Sequence, residues 1–332
     1  MPELPEVETV KRGLNQVTRG QVIMGGAVFL ERTIASPASV AEFWQGITGC
    51  VILSWQRRGK YLLGELARPA AVPLTVPLPA QSTVLPVSHS LHAYSHRAAS
   101  SQAPWPQQAP WPPKEGEAGA TIAAGWLGVH LRMTGQLLWV PREAPLLTHT
   151  RVCFHFASGQ DLRFVDSRTF GRVWWVSPDR PPESCITGLQ ALGPEPFSSD
   201  FSAAYLQDQF RGRQRPIKSA LLDQTLLAGV GNIYADEALF ISGIHPTTPC
   251  ARLQPDQIQR LQQAILAVLE ASIQAGGTTI SDFRSVAGVN GNYGGEAKVY
   301  GRTGQDCRVC GTPIQRIRLA GRSSHFCPVC QR

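Results

Sequence analysis

No apolar run in this 332-residue chain is long enough to span a bilayer. The N-terminus also lacks the basic and apolar regions of a secretory signal. A soluble, cytoplasmic protein without a membrane partner is therefore expected. Acid is in short supply: 24 Asp and Glu face 31 Lys and Arg, for a formal net charge of +7. That balance points to an anionic partner, although charge alone does not separate nucleic acid from a membrane surface. Nor does the chain carry the cysteine density of a disulfide scaffold. Of its eight cysteines, Cys50, Cys153, Cys185 and Cys250 are scattered singly, as reduced and mostly buried thiols are. The other four stand as two pairs at the C-terminus.

The length allows a sizeable core and two or three domains. The opening, "MPELPEVETVKRGL", reads as a helix from Pro2 to about Gly13. Prolines are tolerated in a first turn, and Glu3, Glu6 and Glu8 suit the positive end of the helix dipole. From Gln21 to Leu66 the pattern is β-rich. Residues 68–124 hold ten of the 26 prolines, with much Ala, Ser and Gln. A disordered insertion is expected there, because this composition buries too little apolar surface to order itself. Its His89, His92 and His96 are read as solvated rather than as a metal site. Strand patterns resume with "GWLGVHLRMTGQLLWV", "HTRVCFHFASGQDLRFVD" and "FGRVWWV". Two strand blocks around an insertion suggest one interrupted β-sandwich. After the linker-like "LGPEPFSSDFS" the chain turns helical, ending in "PDQIQRLQQAILAVLEASIQAGG", with Ile258, Leu261, Ile265, Val268 and Ile273 on one face. The expected class is α+β, with a sandwich from 2–66 plus 125–193, the insertion at 67–124, a helical domain at 194–296 and a small unit at 297–332.

The sharpest local signal is Cys307-x2-Cys310-x16-Cys327-x2-Cys330. Two C-x-x-C turns at this separation suit a closed tetrahedral zinc site, so one structural Zn2+ is expected. From Cys307 to the end there are five arginines and no acid, which suits phosphate contact. In "LLDQTLLAGVGNIYADEALF" two helical stretches flank Gly-Val-Gly-Asn. The glycines permit close backbone approach, and Asn232 opens a helix whose N–H groups suit a DNA phosphate. The tract "QRRGKYLLGEL", by itself, reads as a solvated basic face around Arg57, Arg58 and Lys60.

Taken together and in order, PELPEVETV, RRGKYL, HLRMTG, DSRTFG, GVGNIYADE, VYGRTGQDC and FCPVCQR make the chain resemble the bacterial formamidopyrimidine-DNA glycosylases. The resemblance covers all but residues 68–124. It implies a catalytic N-terminal helix on the sandwich, a helix–two-turn–helix domain and a C-terminal zinc-finger hairpin. It implies a bifunctional repair enzyme of base excision repair, both glycosylase and abasic-site lyase. That enzyme would act as a monomer on double-stranded DNA bearing oxidised purines (8-oxoguanine, formamidopyrimidines) or abasic sites. By resemblance, Pro2 freed of Met1 is the nucleophile, Glu3 the acid/base and Lys60 a phosphate-gripping lysine that assists β-elimination. Arg322 serves δ-elimination. Glu6, close to Pro2 in sequence, is expected to help order it. His130, Asn232, Tyr300 and Lys218 fall at phosphate-contact positions, while His149, Arg168 and Arg213 match DNA-binding positions. Met133, Arg168 and Phe170 match the trio that fills the gap left by a flipped nucleotide. Two rival readings are an endonuclease VIII-like glycosylase for oxidised pyrimidines and a non-catalytic zinc-finger DNA-binding protein. The first is disfavoured by PELPEV, the trio and the long Gly-rich loop before Tyr300. The second does not account for Pro2-Glu3 or Lys60.

Overall fold

A computed structural model describes residues 2–69, 121–278, 286, 288, 291 and 293–332. The chain opens with α1 (Leu4–Thr18), which runs five residues past the end that the sequence suggests. Gly13 does not end it, although a mid-helix glycine costs about 1 kcal/mol relative to alanine. A Cβ at Gly13 would press on Val286 at 3.2 Å, so the position is fixed by packing. Its buried stripe spans two cores. Leu4 lies among the helices of the second domain, while Val7, Val10 and Leu14 lie in the sandwich. One helix therefore joins the two domains at its first turn.

Then follow β1 (Ile23–Val28), β2 (Ile34–Ser36), α2 (Val40–Ile47), β3 (Val51–Arg58) and β4 (Tyr61–Pro69). The helix α2 interrupts the stretch expected to be β-rich. Its signal was present: Ser39 caps it by accepting from Glu42 N at 3.4 Å, and Phe43 and Ile47 face the core. After β5 (Thr121–His130) come β6 (Gln136–Pro141), β7 (Thr150–Phe156), β8 (Gln160–Val165) and β9 (Arg172–Val176). They form two sheets, ordered β1-β7-β8-β6 and β2-β9-β5-β4-β3. Side chains such as Phe154, Phe164, Trp139 and Leu62 fill the space between them. This is the expected sandwich.

The insertion boundary needs correction. Strands β4 and β5 pair as far as Ala67↔Ala123, Arg68↔Ile122 and Pro69↔Thr121, so 67–69 and 121–124 belong to the sheet. Arg68 helps to hold that end, donating from Nη2 to Gly46 O at 3.1 Å. The remaining tract, with His89, His92 and His96, lies outside the described residues.

A short α3 (Pro182–Cys185) precedes the helical domain of α4 (Ala203–Phe210), α5 (Ile217–Leu221), α6 (Asn232–Ser242) and α7 (Pro255–Gln274). The buried face of α7 carries Ile258, Leu261, Ile265 and Val268 as expected. Leu269 and Ser272 complete it, whereas Ile273 is only partly buried. The chain closes with a hairpin, β10 (Gln315–Leu319) and β11 (Arg322–Phe326), between the two cysteine pairs. Among the described residues, no helix is long and apolar enough to cross a membrane.

Candidate active site

The first turn of α1 meets the start of α6 at the junction of the two cores. Leu4 N donates to Gly229 O at 3.1 Å, which draws the Gly-Val-Gly turn onto the N-terminus. Glu3 is 2% exposed, and its Oε1 accepts from Ile233 N at 3.1 Å. At this helix start the Ile233 N–H is therefore taken by the protein's own carboxyl group. Gly231 makes the approach possible: a Cβ there would lie 2.2 Å from Glu3 Cδ. Glu3 Oε2 has no hydrogen-bond partner. Burial, with a smaller push from Glu6, lifts the Glu3 carboxyl to about 7, while Lys60 and the Ile233 N–H oppose the rise.

Glu6 holds this turn from behind. Its Oε2 accepts from Glu3 N at 2.8 Å, next to Pro2. Its Oε1 accepts from Thr278 N at 2.7 Å and from the Tyr234 hydroxyl. That hydroxyl also meets Ser272 Oγ at 2.6 Å and Thr278 Oγ1 at 2.9 Å.

Lys60 stands in the β3–β4 turn, only 8% exposed, with Nζ donating to Val230 O at 3.0 Å. Burial pulls its pKa down and Arg322 adds to that, while Glu3 and Glu6 hold it up. Lys60 therefore lies within electrostatic reach of Glu3, Glu6 and Arg322. The neighbouring arginines are not a solvated face. Arg57 reaches Glu195 at 2.6 Å and Glu8 at 3.1 Å, and Arg58 reaches Glu195 at 3.1 Å. Glu195 also accepts from Gly59 N at 2.6 Å, so one carboxylate fixes the whole turn. It lies in the stretch that reads as a linker, and only its acidity among prolines marked it. His130 ends β5 nearby. Burial, with help from Arg132 and Lys60, depresses its pKa to about 3, so the ring is neutral. Its Nδ1 accepts from Arg132 N at 2.9 Å. The proton therefore sits on Nε2, a donor suited to a phosphate oxygen.

The finger hairpin arrives from the other side. Arg322 is exposed at the first residue of β11, just after a tight turn with φ 47° at Ala320 and 79° at Gly321. Lys218 is not at the surface. It is 1% exposed, paired with Asp236 Oδ1 at 2.7 Å, and donates to Ser323 O at 2.7 Å. Asn232 Nδ2 donates to the same carbonyl at 3.1 Å. In this structure both side chains hold the Arg322 strand instead of facing outward. Asp236 Oδ2 also accepts from His325 N at 2.9 Å and meets His325 Nδ1 at 3.0 Å. Buried Glu237 accepts from Lys298, Val299 and Tyr300 N at 2.7–2.9 Å, which sets Tyr300 edge-on to His325.

The four sulfurs of Cys307, Cys310, Cys327 and Cys330 all lie within 4.8 Å of one another. Cys307–Cys330 is 3.9 Å and Cys310–Cys327 is 3.4 Å. Tetrahedral zinc thiolates with bonds near ~2.3 Å require sulfur separations of about 3.8 Å, so the set fits one structural zinc.

A third group lies at one end of the sandwich. Met133, Arg168 and Phe170 are exposed on two loops, with the Arg168 guanidinium 5.2 Å over the Phe170 ring. His149 is exposed beside Arg151, and its carbonyl accepts from Asp166 N at 2.9 Å. Arg213 is exposed beside Gln209 on the helical domain, apart from these loops. Among the described residues, three non-glycine residues have left-handed backbone: Arg132, Thr169 and Ala320. They stand just before Met133, before Phe170 and two residues before Arg322. Each left-handed residue costs roughly 1–2 kcal/mol, and such strain concentrates at working sites.

Comparison with known proteins places these features in one lineage. Residues 1–173 match the formamidopyrimidine-DNA glycosylase N-terminal domain. Residues 192–284 match the H2TH domain of the same enzymes, and 304–332 match a zinc finger found in FPG and IleRS. The chain is 54% identical over 331 residues to a formamidopyrimidine-DNA glycosylase of Acaryochloris marina, covering 100% of this chain and 99% of that one. Among solved structures it is similar to a Lactococcus lactis FPG mutant bound to Fapy-dG-containing DNA, at 30% identity and TM-score 0.77, covering all of both chains. It is also similar to Lactococcus lactis Fpg bound to abasic-site DNA, at 31% identity and TM-score 0.76, covering 99% of each.

Proposed function

The chain belongs to the formamidopyrimidine-DNA glycosylase family and is a DNA glycosylase of base excision repair, and from that premise we propose how its own residues do the work. The substrate is duplex DNA carrying an oxidised purine or an abasic site. Pro2, freed of Met1, attacks C1′ of the damaged nucleotide as a neutral secondary amine and displaces the base. Glu3 supplies the proton that the opening sugar oxygen takes up. The resulting iminium is permanently cationic and draws electrons for loss of the phosphate at C3′, then at C5′, the abasic-site lyase steps typical of the family. Lys60 grips phosphate and aids the first elimination, and Arg322 on the finger aids the second. His130 donates from Nε2 to a phosphate oxygen, while His149 and Arg213 bind the duplex. Met133, Arg168 and Phe170 fill the gap in the stack, offsetting the few kcal/mol that flipping costs. The cysteine set holds its zinc for structure alone.

One observation carries this reading: the carboxyl beside Pro2 is buried and ionises at about 7, so near neutrality it can both hold and release a proton. Borohydride reduction during turnover is expected to cross-link DNA to a peptide beginning at Pro2. An adduct mapped to Lys60 alone, or none with an active preparation, contradicts the assignment. A non-catalytic DNA-binding protein gives no adduct at all.

A further inference from the structure

Met133 lies on the loop from β5 to β6, and Arg168 and Phe170 lie on the loop from β8 to β9. Each loop crosses from one sheet to the other, and their tips are exposed, so neither core sets their mutual position. What joins them is one carboxylate and one hydroxyl. Asp166, 1% exposed, accepts from the Thr134 hydroxyl and from Arg168 N at 3.3 Å on Oδ1, and from Gly171 N at 2.7 Å on Oδ2. Thr134 Oγ1 in turn accepts from Arg168 N at 3.1 Å. Thr134 follows Met133 directly, so its hydroxyl ties the Met133 loop to the backbone of Arg168. The Asp166 main chain extends the joint, with N–H to His149 O at 2.9 Å and C=O from Arg151 Nε at 2.8 Å.

We propose that Thr134 and Asp166 are positioning residues that clasp the two loops into a single wedge, and thereby set how the enzyme reads the base opposite the lesion. The inference rests on the reading of Met133, Arg168 and Phe170 as the gap-filling trio. Its physical content is concerted entry. With the clasp closed, the guanidinium and the two apolar tips keep fixed spacing, so Arg168 meets the opposite base at one height and angle. A guanidinium offers only donors, which suits the paired O2 and N3 acceptors of cytosine and leaves an N–H opposed to an N–H at adenine. With the clasp open, Arg168 reaches the gap in several poses and the distinction fades.

The test compares wild type with Thr134→Val, which keeps the volume and removes the hydroxyl, and with Thr134→Ser, which keeps the hydroxyl. The first readout is fluorescence of 2-aminopurine beside an abasic analogue, which reports insertion of the wedge. The second is the ratio of excision rates opposite cytosine and adenine. Thr134→Val is expected to lose at least half of the fluorescence change and to lower the ratio about fivefold, the effect of one lost hydrogen bond, while Thr134→Ser restores both. A merely structural role slows excision opposite both bases equally and leaves the ratio unchanged, which overturns the proposal. So does wild-type fluorescence in Thr134→Val, or failure of Thr134→Ser to restore. Phe170→Ala separates the two levels. If it leaves the fluorescence unchanged, the trio is not the wedge, and the clasp proposal falls with that reading instead of on its own.

Discussion

Glu3→Gln is expected to make the enzyme more stable while removing its excision activity, and the gain should depend on pH. The folded chain ionises this carboxyl at about 7, against 4.5 for an ordinary glutamate. Between these values the folded state holds a proton that the unfolded state has released, so stability falls as pH rises through the window. Below about 4.5 the cost is absent, and above about 7 it is complete, at about 3 kcal/mol. Glutamine avoids that cost and can still accept from Ile233 N. It also deprives Lys60 of its counter-ion, which offsets part of the gain, so about 2 kcal/mol is expected at pH 8 and almost none at pH 4.5. The assay is urea unfolding of both proteins from pH 4.5 to 8.5, read as the difference in midpoint multiplied by the common slope. A difference that stays flat with pH, or one in which Gln is the less stable at pH 8, refutes the argument. On the proposed mechanism, the trade is that of an active site whose proton donor is kept ready at the expense of the fold.

Cys310→Ser should lose zinc and DNA binding together, because the finger strand carrying Arg322 then has no fixed base; metal analysis beside a binding titration checks both. Replacing residues 70–120 with a two-residue turn should change turnover on an oxidised-guanine duplex less than tenfold, or ~1.4 kcal/mol in the barrier. The link is feasible because Pro69 and Thr121 already face each other across antiparallel strands. A larger loss means that the tract takes part.

The parts of this molecule that were legible in the sequence are those where a local pattern has one physical solution. Paired C-x-x-C turns admit few arrangements other than a tetrahedral metal, and alternating strands on either side of a break admit few other than a sandwich. The helix α2 was also legible, in Ser39 followed by Glu42 and the spaced Phe43 and Ile47, but a β-rich setting hid it. Charge was the hard quantity. A solvated Lys218 and one buried against Asp236 are written identically, and the partner that decides between them is 18 residues away. For Arg57 and Glu195 it is 138 residues away. The Gly-Val-Gly-Asn turn reads as an anion seat, but nothing local says that Glu3 takes the Ile233 N–H there.

Those buried charges lie where they do for a reason that follows from α1. Its first turn leaves the sandwich core and enters the helical core, so the two apolar masses meet at Glu3 to Glu6. Two cores meeting at an angle leave a seam, and here the seam is filled by polar groups: Glu3, Glu6 and Lys60, with Tyr234, Asp236, Lys218 and Glu237 behind them. An apolar seam would be more stable, because each buried charge must recover its hydration from partners. What the polar seam supplies is fixed direction. Glu6 orients the N–H beside Pro2, Glu195 orients the Lys60 turn, and Lys218 with Asn232 orients the strand that bears Arg322. Three chain segments, two from the sandwich domain and one from the finger, are thus held in place before any substrate arrives. Catalysis by placed charges depends on such prior arrangement, since dipoles already aligned need no reorganisation as the sugar opens. On the proposed mechanism, the stability given up along the seam and the rate gained at Pro2 have the same structural cause.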